Sequence, residues 1–495
     1  VQRQAESALA RYRDEFTMMG IYNAAAVALG PEGEVVAAVG NFDYWDTEHA
    51  GQVAGFAAPR SPGSAVKPFI YAAAIDQGLA LPDYLSSDIP RRFGEYAPIN
   101  YDRRFRGLVR LEEALSFSLN LPFIELLEKV GVARMMDLIR RGGVSTLSDE
   151  PGRYGLSLAV GGCELRLDEL TSLYGALNHG GEARPLAWTL EEAGAQRPSR
   201  NTRLFSPGAA WLTRQALRRR DRPDFPGRPG VSAPTGVFWK TGTSAHHRDA
   251  WALGGAGPWT AGVWVGNFDA RSSSYIIGGD RAAPALFDLL SGLDRGARQL
   301  DPPTPDLVMI ETCAFSGRPA GRFCPERRRA WAMRDHLPAA PCPYHVEYEL
   351  DAQSGQRVNP LCRGNRETVR RTMVVLPASI RRWVADQTLS AAAPPAWSDD
   401  CVESGAGDAP VILSPQDGSI FLLVPGRAAD EQEIPLEADA GAETDALHWF
   451  VDGKLLASGP ADERAWLMPS PGRHEVRVVD TQGRGDKVEI EVMVR

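Results

Sequence analysis

Ser64 and Lys67 stand three residues apart in Ser64-Ala65-Val66-Lys67, a spacing that puts a hydroxyl and an amine on one face of a helix. A serine attacks a carbonyl poorly unless a base takes its proton, and a desolvated lysine can be that base. Two further motifs follow, Ser118-Leu119-Asn120 and Lys240-Thr241-Gly242-Thr243-Ser244. Lysine is otherwise scarce: of 54 basic residues only five are Lys, at 67, 129, 240, 454 and 487. Arg is in practice never deprotonated, so a chain that carries nearly all its positive charge as Arg keeps Lys where a guanidinium cannot substitute. In this reading Ser64 is the nucleophile and Lys67 its base, with a pKa lowered by burial or by the charge of Lys240. Ser118 relays a proton between Lys67 and a leaving amine, and Asn120 hydrogen-bonds a substrate backbone. Lys240 holds the site cationic for a carboxylate-terminated substrate, the Thr241 and Thr243 hydroxyls suit that carboxylate, and Gly242 lets the strand lie close. The backbone N–H groups of Ser64 and Thr243 are candidates for an oxyanion hole. S-x-N alone carries almost no information; the three motifs in this order are specific.

These residues need a scaffold. Residues 1–17 read as a short helix, and 23–41 as a hairpin turning at Gly30-Pro31-Glu32-Gly33. A helix is expected to start at Ser64, because Pro68 is tolerated only in a first turn. Residues 111–180 are mostly helical by periodicity, and 232–270 turn to strands around Val237–Thr241, Asp249–Gly254 and Thr260–Gly266. Strands at both ends with helices between them predict an α+β domain with a central antiparallel sheet flanked by helices. From about 300 the composition shifts to Pro, Arg and Cys with weak periodicity, which marks a linker or small module. Residues 408–495 alternate short β-like runs with turns and predict a β-sandwich of about seven strands, with Trp449, Phe450 and Trp466 in its core. The expected division is 1–300, 301–407 and 408–495. His246 and His247 are expected in a loop, and Cys163 as a packing residue.

With 43% hydrophobic and 24% charged residues the chain of 495 is globular, and a net charge of −9 argues against a nucleic-acid partner or a basic membrane-binding face. No apolar run approaches a spanning helix and no signal peptide is visible, and the chain reads as a fragment without its membrane anchor. Of six cysteines, five (Cys313, Cys324, Cys342, Cys362 and Cys401) fall between 313 and 401 and so belong to one unit.

The resemblance extends past the three motifs. Arg60–Ser64, Tyr96-Ala97-Pro98-Ile99-Asn100-Tyr101-Asp102, Ala114–Pro122, Leu156–Gly162, Lys240–Ser244 and Thr260–Asn267 resemble the transpeptidase domain of class A penicillin-binding proteins. The segment Pro341-Cys342-Pro343-Tyr344-His345 and the terminal β-domain starting at Pro410 resemble the 1C type of that family. The resemblance implies a β-lactamase-like fold with an Ig-like terminal sandwich, and a D,D-transpeptidase that joins peptidoglycan stem peptides through an acyl-serine and binds β-lactams. It implies Ser64, Lys67, Ser118, Asn120 and Lys240 as catalytic, and Thr241, Gly242 and Thr243 as substrate-binding. No cofactor is implied and no catalytic metal. Full-length relatives are anchored to the inner membrane and face the periplasm; they also carry a glycosyltransferase domain, of which this sequence shows neither the acidic motif nor an anchor. An α2-macroglobulin-like protein is a partner by association. In such a compartment disulfides are the favoured expectation for the cysteine segment, although five cysteines leave one unpaired, and three Cys with His345 (or Cys362) also fit a tetrahedral zinc site. Two other readings share the motifs: a serine β-lactamase or β-lactam sensor, and a catalytically weak scaffold.

Overall fold

The computed structural model describes residues 1–494 except 92, 94–95, 151, 196–199, 220–221, 224–235, 294–304, 378–379, 382, 384–394, 402–408, 416, 427–431, 441–443, 445 and 462. The expected boundaries at 300/301 and 407/408, and the start of the expected β region at 232–235, lie outside the described residues.

Asn23–Leu29 (β1) and Val35–Val39 (β2) form the hairpin around Gly30–Gly33. Leu85–Asp88 (β3) and Gly107–Arg110 (β4) make a separate two-stranded ladder. Phe238–Thr243 (β5), Asp249–Ala256 (β6) and Trp259–Gly266 (β7) join the hairpin in a five-stranded antiparallel sheet, ordered β2-β1-β7-β6-β5. Alternate residues of β1 enter two cores: Ala25, Val27 and Leu29 one, Ala24, Ala26 and Ala28 the other. Burial on both faces explains why β1 is a continuous apolar run rather than an alternation. The helices are Gln2–Ala10 (α1), Lys67–Asp76 (α2), Leu121–Val130 (α3), Leu167–Asn178 (α4) and Ala283–Leu293 (α5), with shorter ones between. α1 and α5 cover one face of the sheet, and α2, α3 and α4 build the larger core on the other. β5 is an edge strand of the sheet, so its motif borders the helical layer.

The segment expected to have only weak periodicity contains two hairpins, Leu307–Cys313 (β8) with Arg327–Met333 (β9), and His345–Asp351 (β10) with Thr368–Val374 (β11). Their outer residues, Arg327, Arg328, Arg329, Arg370 and Arg371, are exposed, and that run of charge hides the two-residue alternation. The disulfide expectation holds for one pair, Cys362–Cys401; Cys313, Cys324 and Cys342 are free, buried thiols.

The C-terminal unit has two sheets. One holds Val411–Ser414, Ile434–Asp439 and Ala465–Leu467; the other holds Ser419–Leu423, Ala446–Val451, Lys454–Pro460, Gly472–Asp480 and Gly485–Val494. They enclose a core that includes Leu436, Leu447, Trp449, Val476, Val478 and Ile490. Trp449 is in that core as expected, Phe450 is half-buried, and Trp466 is not: it is 49% exposed. Leu467 points inward from the same strand, and a period of two sends its neighbour out.

Candidate active site

The helix expected from Ser64 starts as a tight 3-10 turn over Gly63–Val66, and α2 proper begins at Lys67 with Pro68 in its first turn. Ser64 is half-buried, while Lys67 is completely buried. Two glycines let this turn touch β5. Gly63 has φ +53, and a Cβ there would stand 2.4 Å from the Thr243 carbonyl oxygen. A Cβ on Gly242 would stand 2.2 Å from the Pro62 carbonyl oxygen. Behind the turn, Ser61 Oγ donates to Gly161 O at 2.8 Å, Trp251 Nε1 to Ser61 O at 2.8 Å, and Tyr174 Oη to Ala65 O at 2.8 Å. The Leu156–Gly162 segment, recognisable in sequence but without a role there, thus braces the turn that carries Ser64.

The three motifs converge on Ser118. Lys67 Nζ donates to Ser118 O and to Asn120 Oδ1, each at 2.7 Å. Lys240 Nζ donates to Ser118 Oγ at 2.9 Å and to Thr241 O at 2.8 Å. Ser118 has φ 59, a left-handed conformation that costs a non-glycine residue energy and persists only where neighbours impose it. That conformation accompanies a carbonyl bonded to one lysine and a hydroxyl bonded to the other. Burial lowers the Lys67 pKa well below the ordinary lysine value, the Lys240 charge lowers it further, and Asp88 opposes both. A neutral amine has two N–H donors and one lone pair. The two acceptors on Lys67 match those donors, which leaves the lone pair for a proton from outside the pair. The Ser64 hydroxyl makes no hydrogen bond to the described residues, and Thr243 Oγ1 accepts from Gly278 N–H at 3.1 Å, so its own proton stays available. Thr241 is nearly buried beside it.

Asp88 and Asn100 carry the positioning that residue types alone did not reveal. Both are buried. Asn100 Nδ2 donates to the two Asp88 carboxylate oxygens at 2.8 and 3.0 Å, and Asn100 Oδ1 accepts from Asn120 N–H at 2.7 Å. Asn120 Nδ2 donates to Ile99 O at 2.6 Å, which leaves its Oδ1 turned to Lys67. The available signal was Tyr96–Asp102, a segment noticed for its resemblance and given no chemical role. His246 and His247 occupy the 3-10 turn after β5, both with left-handed φ, in keeping with a loop. Cys163 is buried and its thiol is pushed up to about 12 by burial, as suits packing.

Residues 24–265 match the penicillin binding protein transpeptidase domain, and residues 400–490 the penicillin-binding protein C-terminus family. The chain belongs to the penicillin-binding proteins. It is 31% identical over 472 residues to penicillin-binding protein 1C of Escherichia coli K12, across 90% of this chain and 58% of that protein. It is 28% identical over 274 residues to penicillin-binding protein 1F of Bacillus subtilis, across 52% of this chain and 37% of that protein. The chain thus spans 58% and 37% of the lengths of these two relatives. Among solved structures, penicillin-binding protein 1A from Haemophilus influenzae superposes with a TM-score of 0.52 at 21% identity, over 65% of this chain and 54% of that one. PonA1 from Mycobacterium tuberculosis, in complex with penicillin V, gives 0.51 at 21% identity, over 61% of this chain and 86% of that one. The fold is thereby shared over 65% and 61% of this chain.

Proposed function

We propose that this chain is a D,D-transpeptidase of peptidoglycan that works through an acyl-Ser64 intermediate and is acylated by β-lactams. The carrying observation is the setting of Lys67: it is completely buried, held by two acceptors at 2.7 Å and close to the Lys240 charge. Its pKa is therefore lowered well below the ordinary lysine value, and the neutral, base-competent form is favoured. As Ser64 Oγ bonds to the penultimate D-Ala carbonyl carbon, its proton moves to Lys67 Nζ. The oxyanion is stabilised by the Ser64 and Thr243 N–H groups, and collapse breaks the peptide bond. Ser118 Oγ, polarised by Lys240, passes its proton to the departing D-Ala amine and takes up the one held on Lys67 Nζ, which returns Lys67 to its neutral form. An amine from a second stem peptide then attacks the ester carbonyl and gives up a proton through Ser118 to Lys67 Nζ, which protonates Ser64 Oγ as the C–O bond breaks. Thr241, Gly242 and Thr243 bind the substrate's carboxylate end, and Asn120 its backbone.

The division into 1–300, 301–407 and 408–495 is part of this proposal, with the last unit serving binding or spacing. So is placement outside the cytoplasm, on a membrane anchor in the full-length protein; among the described residues no helix is long and apolar enough to cross a membrane. Stem peptides and β-lactams are the proposed ligands, with an α2-macroglobulin-like protein as the proposed partner. Intact-protein mass after incubation with penicillin tests the reading. A persistent adduct on the wild type and none on Ser64→Ala is expected. An adduct on both would remove Ser64 from the mechanism, and rapid loss of the adduct with consumption of the drug would make the chain a β-lactamase.

A further inference from the structure

Remote from the cleft, four side chains meet with no role in acyl transfer. Cys313 is the last residue of β8, Cys324 lies three residues before β9, Cys342 sits in the loop after that hairpin, and His345 is the first residue of β10. Their ligand atoms all lie within 4.8 Å of one another. His345 Nδ1 is 3.4 Å from Cys313 Sγ and 3.5 Å from Cys342 Sγ. The three sulfurs are unbridged.

We propose that Cys313, Cys324, Cys342 and His345 form a structural zinc site. Zn–S bonds of about 2.3 Å and Zn–N bonds of about 2.0–2.1 Å at tetrahedral angles put sulfur and nitrogen about 3.6 Å apart, close to both spacings found here. A disulfide among three thiols would leave one over and would leave the imidazole, which faces two sulfurs at once, without a function. The surroundings suit a thiolate cluster closed to solvent. Phe315 and Tyr344 pack edge-on at 5.7 Å, and Phe315 meets the His345 ring at 6.0 Å, also edge-on. Gly321 N–H donates to Cys324 Sγ at 3.3 Å, a charge-compensating contact of the kind a metal-bound thiolate accepts.

The reason to spend a metal here lies in the topology. The two hairpins share no sheet, and an isolated two-stranded hairpin is marginal on its own. Zinc would tie the end of β8 to the start of β10, displacing three thiol protons and oxidising nothing. The Cys362–Cys401 disulfide already staples the far end of the second hairpin, so the module would use two cross-links of different chemistry. The loop between the first two ligands also touches the transpeptidase domain: Leu85 N–H donates to Ser316 O at 2.9 Å, and the Arg110 guanidinium to Ala314 O at 2.9 Å. The site would therefore hold the module against β3 and β4.

Elemental analysis of the full chain, expressed with added zinc and purified without chelator, should find about one equivalent of zinc per chain. Cys324→Ser should lose it, and Cys163→Ser should keep it. Replacement by Co2+ should give thiolate-to-metal charge-transfer absorption. The wild-type zinc content and the Co2+ spectrum need no variant, so a Cys324→Ser chain that misfolds leaves the test intact. A folded wild-type chain free of zinc, with two of Cys313, Cys324 and Cys342 joined in a disulfide by alkylation and mass, would overturn the site. So would zinc retained in full by folded Cys324→Ser. Neither result touches the acyl-serine proposal, which is read from the penicillin adduct.

Discussion

The cleft and the terminal sandwich treat the same residue type in opposite ways. Lys67 and Lys240 are wholly buried and donate to neutral oxygens: Ser118 O and Asn120 Oδ1 for Lys67, Ser118 Oγ and Thr241 O for Lys240. On the sandwich, Lys487 is exposed and donates to Glu475 at 2.8 Å, and on the rim of the catalytic domain exposed Lys129 donates to Glu125 at 2.6 Å. Pairing with Glu475 raises the Lys487 pKa, whereas burial and a second cation lower that of Lys67. Lys487, next to a carboxylate in water, is held as a charge, whereas burial and the Lys240 charge push Lys67 toward the neutral form that the proposed base needs. The difference is made entirely by surroundings.

Removing the proposed base should give the largest effect. Lys67→Met keeps the length and apolar stem of the side chain and deletes the amine, so penicillin acylation of Ser64 should fall by about 10²–10⁴-fold. The wild-type rate should rise with pH as Lys67 loses its proton, and that rise should flatten in the variant. The sign for stability is the same: with the folded pKa below the unfolded one, the unfolded chain holds the extra proton. Stability contributed by this group therefore increases from the folded pKa up to the ordinary lysine value. Stopped-flow acylation across pH, with a melting curve to confirm the fold, checks both. A variant that acylates at the wild-type rate would break the contrast between the two lysine environments.

Asn100→Ala should do less, and its effect separates positioning from chemistry. Loss of the side chain leaves Asn120 N–H and Asp88 Oδ1 without their partner, while Asp88 Oδ2 keeps the Arg106 N–H, at about 1–3 kcal/mol of stability. Asn120 Oδ1 would then no longer be fixed on Lys67, and acylation should fall about tenfold to a hundredfold. A purely structural role predicts a lower melting temperature with the pH profile of acylation unmoved. A positioning role predicts that the rise with pH shifts upward, because a looser, wetter Lys67 moves back toward its ordinary pKa.

The candidate nucleophile, its candidate base and the order of the motifs were readable because each is a local pattern: a three-residue spacing, a tripeptide, a scarce residue type. What joins them was not readable. The Asp88–Asn100–Asn120 chain draws on a strand, a loop and a helix start, and nothing in residue types says that Asn100 lies under Asn120 rather than in solvent. The hairpins of the cysteine module were hidden for a different reason, since Arg327-Arg328-Arg329 erases the alternation that marks a strand. Trp466 was misplaced because an aromatic in a strand-like run was counted as core without fixing which parity faces inward. Leu467 supplies that parity, but only once the register is known.

The smallest effect belongs to the sandwich lysine. Lys487→Met removes an exposed ion pair between two strands that remain joined by their backbone ladder from Gly472–Val492 to Val479–Gly485. Two solvated charges gain little from each other in water, because the attraction is screened and ordering two long side chains opposes it. Melting temperature and penicillin acylation should both stay at wild-type values, at low and at high salt. A clear loss of stability that disappears in high salt would mean that Glu475 and Lys487 belong to a cooperative surface network. Their environment would then differ from that of Lys67 in degree of burial but not in energetic weight, and the contrast between the two regions would rest on the neutral partners of Lys67 alone.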